Sequence, residues 1–153
     1  MLYTGPPLAD GPVSLASVRD ADVHEWAERA VSDPSMLYFG IFRSDVLVGQ
    51  IFLHDRDDTL QEALVGYHLF TATNRGQGIG TRALRLLQRH VTDHLDLKRL
   101  IVITSRDNIP SQRLALTCGF ALAGAPREDP TGLLYGWKVS RQGSCDSSGP
   151  TGR

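Results

Sequence analysis

Four stretches of the chain have the apolar patterning that is typical of β-strands. These strand-like runs lie at residues 13–18, 36–43, 46–54 and 63–70. The second and third runs are separated only by Ser44 and Asp45, and such a short polar link predicts a β-hairpin. A polar loop at residues 55–59 leads into the fourth run. The last three runs are therefore predicted to form a meander.

Two other stretches show the 3.6-residue spacing of apolar positions that is typical of amphipathic helices. The first covers about residues 21–31 and ends at the Ser-Asp-Pro-Ser sequence of residues 32–35. The second covers residues 82–95, and a continuous apolar run follows at residues 99–104. Strand, helix and strand predict a parallel crossover unit, and the unbroken apolar run predicts a strand that is buried on both faces.

A third helix is predicted to begin after Asn108, because Pro110 suits a first helical turn and the Asn side chain can accept from free N–H groups. Gly119 is a candidate left-handed residue at its end, and Phe120 is expected to pack back onto it. A final hairpin is predicted from two further runs, at residues 120–123 and 133–140.

These elements predict an α/β fold, in which a mixed, twisted sheet of about six to seven strands is flanked by about three to four helices. A single domain is expected over residues 13–140. Residues 1–12, rich in Gly and Pro, predict an irregular lead-in, and residues 141–153 predict a disordered tail.

Composition narrows the expected partners. The 153 residues suit one domain, and the net charge of −1 provides no global field for nucleic acid or an anionic membrane. The N-terminus lacks a signal-peptide pattern, and Cys118 and Cys145 lack the spacing of a disulfide framework. We therefore predict a cytoplasmic monomer or homodimer that binds neither nucleic acid nor membrane.

The most informative stretch joins the run at residues 63–70 to the second helix. It consists of Arg75, Gly76, Gln77, Gly78, Ile79, Gly80 and Thr81. Alternating glycines let backbone N–H groups approach an anion, and the following helix start adds a positive dipole end. Arg75, Arg82 and Arg85 add cations that a polyphosphate would neutralise. The sequence predicts a phosphate-binding loop, although a Gly-rich loop with solvated arginines remains the simpler alternative.

Two nucleotide-binding motifs are excluded by the same residues. A P-loop requires Lys after its last glycine, but Gly80 is followed by Thr81 and Arg82. The dinucleotide fingerprint requires a sixth-position glycine, and counting from Gly76 this position is Thr81. The phosphate ligand is therefore expected to belong to another class.

The spacing Arg/Gln-x-x-Gly-x-Gly/Ala, met by Arg75, Gly78 and Gly80, resembles the signature of the GCN5-related N-acetyltransferase (GNAT) family. The stretch from Asn108 to Phe120 resembles the second motif of that family, and the branch that acetylates ribosomal-protein N-termini is the most similar. The resemblance implies a GNAT-like fold with acetyl-CoA as co-substrate and no metal. It implies direct acetyl transfer, within a ternary complex, to a primary amine of a small molecule or a protein N-terminus.

The resemblance also implies the roles of particular residues. Residues 75–81 would bind the CoA pyrophosphate and Asn108 the cofactor arm, while a backbone N–H near Leu69 or Phe70 would meet the oxyanion. The acceptor would lie near Trp26, residues 55–59 and the loop before Leu133.

The catalytic base and acid of the family are absent from their usual positions. The base position corresponds to Leu64, and strand alternation places Glu62 and His68 on the same face as candidate bases. An imidazole titrates near neutral pH, which favours the histidine.

The usual acid, a tyrosine, is replaced by Ala115, which leaves Ser111 and Tyr135 as candidates. All four candidates also suit structural roles. An alternative is therefore a non-catalytic acyl-CoA-binding or sensing domain.

Other reactive side chains predict structural roles. His90 and His94 are one helical turn apart, but they lack the third ligand of a zinc site. Cys118 lies in an apolar stripe without a histidine partner, which predicts a buried thiol. No metal site is expected.

Overall fold

An eight-stranded mixed sheet forms the centre of the protein in a computed structural model that describes residues 1–19 and 25–141. Its strands are β1 (Leu8–Asp10), β2 (Val13–Ala16), β3 (Leu37–Arg43), β4 (Val46–Asp57), β5 (Glu62–Leu69), β6 (Arg99–Ser105), β7 (Ala121–Gly124) and β8 (Gly132–Lys138). The helices are α1 (Glu25–Ser32), α2 (Ile79–His94) and α3 (Ile109–Thr117), with a 3₁₀ turn at Ala72–Asn74. The spatial strand order is β1-β2-β3-β4-β5-β6-β8-β7, and only β5 and β6 run parallel. The predicted mixed α/β sheet is confirmed.

The first strand differs from the prediction. Residues 1–12 were expected to be irregular, yet β1 pairs antiparallel with β2 across a turn in which Gly11 has a φ of 61°. Arg82 donates from Nη1 to the Asp10 carbonyl at 3.2 Å, which ties this edge strand to α2. Because that contact joins residues far apart in sequence, the local pattern did not reveal it.

Local turn and cap signals are confirmed. Ser44 and Asp45 both have positive φ, at 49° and 68°, as a two-residue hairpin requires. The Asn108 side chain accepts from the Ser111 N–H at 3.1 Å, so it caps α3 as predicted. Gly119 has a φ of 88° after α3, and the Phe120 N–H donates back to the Ala115 carbonyl at 2.9 Å.

Some predicted segments lie wholly or partly outside the described residues. These are residues 142–153 of the expected tail, with Cys145, and residues 21–24 of the expected first helix. Strand β4 extends to Asp57, so the first part of the polar loop predicted at residues 55–59 belongs to a strand. None of the described helices is long and apolar enough to cross a membrane.

The sheet has a separate apolar core on each face. One core joins the sheet to α2 and α3 and includes Ile51, Leu69 and Leu87. The other lies under α1 and includes Tyr38 and Phe52. Because side chains alternate along a strand, even-numbered residues of β4 near Phe52 face α1, and odd-numbered ones face α2.

Strand β6 is not buried along its whole length, contrary to the prediction. Leu100 and Ile101 are buried, whereas Ile103 is 43% exposed. The reason is that β5 leaves β6 after Ile101, so the second half of β6 lacks a neighbouring strand on that side.

His90 of α2 is packed between aromatic rings. Its ring lies edge-on to Tyr3 at 5.4 Å and to Phe39 at 5.5 Å, and its Nδ1 is buried without a hydrogen-bond partner among the described residues. Burial lowers the pKa of His90, and neighbouring His94 lowers it further against the opposing effect of Asp93. Within the described chain, no group of three or more His, Cys, Asp or Glu side chains is arranged to hold a metal ion.

This environment predicts a pH-dependent stability. The pKa of His90 is lower in the folded protein than in the unfolded chain, so its contribution to stability is fully present above about pH 6.5 and is lost as the pH falls through the folded pKa. Urea unfolding at about pH 7.5 and about pH 5 should show a smaller loss of unfolding free energy in His90→Phe than in wild type. The exposed-site variant His68→Phe controls for removal of an imidazole. An unchanged pH dependence in His90→Phe would contradict this account.

Candidate functional site

A cleft of about 1180 Å³ opens in the middle of the sheet, where β5 and β6 separate. The two strands pair at only three positions, the last being Leu64 with Ile101. Beyond that point β5 stays paired with β4 as far as Leu69, while β6 stays paired with β8 as far as Ser105. The gap therefore exposes two strand edges to a ligand.

Backbone groups of β5 point into this gap. The Phe70 N–H donates to the Val48 carbonyl at 2.9 Å, so it faces β4. Because N–H groups alternate between the two edges of a strand, those of Tyr67 and Leu69 face the gap instead. Of the two predicted oxyanion donors, the Leu69 N–H has the required direction and the Phe70 N–H does not. Phe70 nevertheless lines the cleft.

The predicted phosphate loop forms one end of the cleft. Gly76 and Gly78 have left-handed backbones with φ of 72° and 76°, and a Cβ added to either would meet nothing within 4 Å. Gly78 is the N-cap of α2, and no side chain caps that end. The first turn, from Ile79 to Thr81, therefore has no side-chain cap and lines the cleft, where the helix dipole favours an anion.

Tyr67 supports this loop, and its role was not predicted from the sequence. Gly80 has room only for hydrogen, because an added Cβ would lie 2.6 Å from the Tyr67 hydroxyl oxygen. Burial raises the pKa of Tyr67 to about 12, against an opposing effect of the Arg75 guanidinium. Tyr67 therefore remains a neutral hydroxyl next to Gly80. The sequence signal for this role was an aromatic residue in the strand that precedes the loop.

Only one of the three predicted phosphate-facing arginines lines the cleft. That residue is Arg75. Arg82 donates to the carbonyl of β1 described above, and Arg85 donates to the Thr117 carbonyl at 3.4 Å. Both lie on the part of α2 that contacts other elements, which the local charge pattern could not reveal.

Gln77 holds the loop in place instead of lining the cleft. Its Nε2 donates to the Thr73 carbonyl at 2.6 Å, and its Oε1 accepts from Arg43 of β3. The cleft is lined by all the other predicted loop residues, which are Arg75, Gly76, Gly78, Ile79, Gly80 and Thr81.

The start of α3 forms the opposite wall. Asn108, Ser111 and Ala115 all line the cleft, so the second motif of the sequence faces the first across the gap. Ser111 is held by the Asn108 cap, and Ala115 is almost fully buried. His68 of β5 is exposed and lines the cleft as well. His68, Ser111 and Asn108 thus line the same cleft.

Two predicted catalytic residues do not reach the cleft. Glu62 lies at the start of β5, where the strands still pair, and its Oε2 is 3.4 Å from Arg99 Nη1. Tyr135 is 4% exposed and lies in the core opposite Val102 of β6. Neither residue lines the cleft, whereas the other two candidates, His68 and Ser111, do.

Aromatic side chains line the half of the cleft that faces α1. Trp26 stacks on Phe52 at a centroid distance of 4.9 Å, and His54 lies 5.6 Å from the same ring. His54 Nδ1 is 2.9 Å from an Asp55 carboxylate oxygen. Trp26 was predicted at this position, but Gln50 and His54 were not, because both lie inside a run that only indicated a strand.

Cys118 is buried, as predicted, although it lies close to the loop. Its Sγ is 3.7 Å from the Thr81 carbonyl oxygen. Burial raises the pKa of the Cys118 thiol, against weaker opposing effects of Arg85. A protonated, buried thiol is a poor nucleophile, so the geometry favours chemistry without a cysteine intermediate.

Comparison with known proteins identifies a family model and several relatives that match more than half of the chain. The family model described as an acetyltransferase (GNAT) domain matches residues 11–121. The ribosomal-protein-serine acetyltransferase of Escherichia coli (strain K12) is 33% identical over 90 residues, which make up 59% of this chain and 50% of that protein. The chain therefore spans about half the length of this curated relative.

Solved structures agree with the family match. The Microcin C7 self immunity acetyltransferase MccE, in complex with acetyl-CoA and AMP, has a TM-score of 0.65 at 26% identity, covering 74% of this chain and 68% of that one. A putative ribosomal-protein-serine acetyltransferase from Vibrio cholerae shares the fold, with a TM-score of 0.71 at 22% identity. That match covers 89% of this chain and 99% of the other.

Proposed function

This chain belongs to the GNAT acetyltransferase family, and we propose that it transfers an acetyl group from acetyl-CoA to a primary amine. The observation that carries the proposal is the continuity of two features in one cleft. An uncapped helix start with left-handed glycines leads directly into a gap between two separated strands. A ligand with a pyrophosphate and a long amide-containing arm suits both features.

In the proposed complex, the pyrophosphate accepts from N–H groups of the loop and of the first turn of α2, and Arg75 neutralises its charge. The pantetheine arm lies along the free edge of β5, where its amides replace the missing strand partner. The thioester carbonyl then lies near the Leu69 N–H. This donor would stabilise negative charge as it develops on the oxygen.

The transfer needs one base and one acid. The amine nitrogen attacks the thioester carbon, the C–N bond forms, and the amine proton passes to His68. Collapse of the tetrahedral intermediate breaks the C–S bond. The thiolate takes up a proton that is relayed by Ser111 or by water, and the proton held by His68 is returned to solvent, so that acetyl-CoA and the amine give the amide and free CoA thiol. Since a thiolate is a good leaving group, alanine at position 115 does not prevent the reaction.

The pH–rate profile tests the role of His68. The His68→Ala variant is expected to lose about 10²- to 10⁴-fold in kcat and to lose the acid limb of the profile. Acetyl-CoA affinity should stay within about threefold, since His68 faces α1 and not the phosphate loop. The matched control is His54→Ala, which removes another histidine of the cleft and should keep the acid limb. Superimposable profiles for wild type and His68→Ala would leave water as the base.

Free thiol released from acetyl-CoA in the presence of an amine panel tests the proposed function. The panel should include alkylamines, α-amino amides and short peptides, because the acceptor is either a small molecule or a protein N-terminus. Amine-dependent thiol release is expected. Tight CoA binding without turnover on any amine would support the alternative of a non-catalytic acyl-CoA-binding domain. That alternative is motivated by Leu64 and Ala115, which replace the usual base and acid of the family.

A further inference from the structure

Gln50 is a buried polar residue in the middle of β4, and the proposed reaction does not yet use it. Only 4% of its surface is exposed, yet it lines the cleft. Its Oε1 accepts from the Tyr38 hydroxyl at 2.7 Å. No described residue accepts a hydrogen bond from its Nε2. The two N–H donors of this amide therefore remain for a molecule in the cleft.

The Tyr38 contact sets which end of the amide faces the cleft. Tyr38 is 1% exposed, and burial raises the pKa of Tyr38 to about 12, so its hydroxyl stays protonated. With Oε1 bonded to this hydroxyl, the Nε2 end of the amide is directed away from Tyr38. In this orientation Gln50 presents its N–H donors to the cleft.

Gln50 also lies beside the proposed base. It pairs with His68 across β4 and β5, and the two residues share the sheet face under α1. Directly paired residues have Cα atoms about 5.5 Å apart in this kind of pair. The pyrophosphate loop begins the helix on the other face of the sheet. Gln50 is consequently placed to contact the acceptor and not the pyrophosphate.

We infer, on the basis of the proposed function, that Gln50 is a specificity-determining residue. Its Nε2 donates to an uncharged oxygen of the acceptor, and this oxygen lies close to the reactive amine of the acceptor. The carbonyl of an α-amino amide meets this requirement, because its oxygen and its amine are separated by only two carbon atoms. An alkylamine lacks the oxygen. The aromatic group of Trp26, Phe52 and His54 then packs against the rest of the acceptor.

Two acceptors of similar length test this inference, alanine N-propylamide and 2-aminohexane. With Gln50→Met, kcat/KM is expected to fall about 10- to 100-fold for the amide and less than about threefold for the alkylamine. Tyr38→Phe should give a smaller loss that is also confined to the amide, since it only releases the orientation of Gln50. If Gln50→Met does not fold, Gln50→Glu removes the same donors and keeps an acceptor for Tyr38.

The matched control is Gln88→Met, which alters a buried glutamine that donates to the Cys118 carbonyl outside the cleft. It should leave the ratio of the two substrates unchanged. Equal losses for both acceptors in Gln50→Met, or no loss, would overturn the inference. Acetylation of 2-aminohexane but not of the amide by the wild-type protein would also overturn the inference, although the proposed function would stand. Absence of turnover with every amine would instead refute the proposed function.

Discussion

The Gly78→Glu variant is expected to bind acetyl-CoA at least about 100-fold more weakly than wild type, as measured by calorimetry. Gly78 has a left-handed backbone at the N-cap of α2, with open space where a side chain would project. A glutamate there would bring a carboxylate and its bulk to the position proposed for the pyrophosphate. Charge repulsion and lost hydrogen bonds to the phosphates both weaken binding.

Two controls separate charge from backbone strain. Gly78→Ala introduces a side chain at the same φ of 76° without the charge, and should weaken binding far less than Gly78→Glu. Gly124→Glu places a glutamate at another positive-φ glycine with open space, on β7 and away from the cleft. It should leave acetyl-CoA affinity unchanged. Equal affinity in Gly78→Glu and wild type would contradict the assignment of the loop.

Replacing the peptide N–H of Leu69 by an ester oxygen is expected to lower kcat by about 10²- to 10³-fold. The change, introduced by incorporating the α-hydroxy analogue of leucine, keeps the side chain and removes one backbone donor. That donor faces the gap between β5 and β6, where we propose that the oxyanion forms. Thiol release under saturating acetyl-CoA measures the effect.

The same substitution at Phe70 is the matched control. Its N–H donates to the Val48 carbonyl, so the ester removes a hydrogen bond of the sheet and should lower the melting temperature. Its effect on kcat should be small. If the two esters reduced kcat equally, the Leu69 N–H would have no special part in the reaction.

Features that depend on neighbouring residues were predictable from the sequence. The Ser44-Asp45 turn, the Asn108 cap and the left-handed Gly119 each follow from the backbone preferences of one or two residue types. The loop at residues 75–81 was predictable for the same reason. Its glycines and its position before a helix are local facts.

Features that depend on contacts between distant segments were not predictable. Strand β1 is held by a side chain of α2, and the same contact takes Arg82 away from the loop. Glu62 and His68 share a face by alternation, but only His68 lies beyond the point where β5 leaves β6. The position of that separation depends on packing across the sheet, and no single residue type marks it.

The acceptor side illustrates the same limit. Gln50 and His54 belong to a run that predicts a strand, and their side chains acquire the proposed role only when α1 and β5 pack around them. Tyr38, which orients Gln50, is 12 positions away in sequence. The residues that we propose to bind CoA thus follow a local motif, whereas those that we propose to face the acceptor are brought together only by the fold.

A crystal structure of the protein with acetyl-CoA tests the central claim most directly. We predict density for the pyrophosphate against the N–H groups from Gly76 to Thr81, with the pantetheine arm between β5 and β6. The thioester oxygen should lie within hydrogen-bond distance of the Leu69 nitrogen. Acetyl-CoA bound elsewhere, or bound with its pyrophosphate away from this loop, would contradict the account.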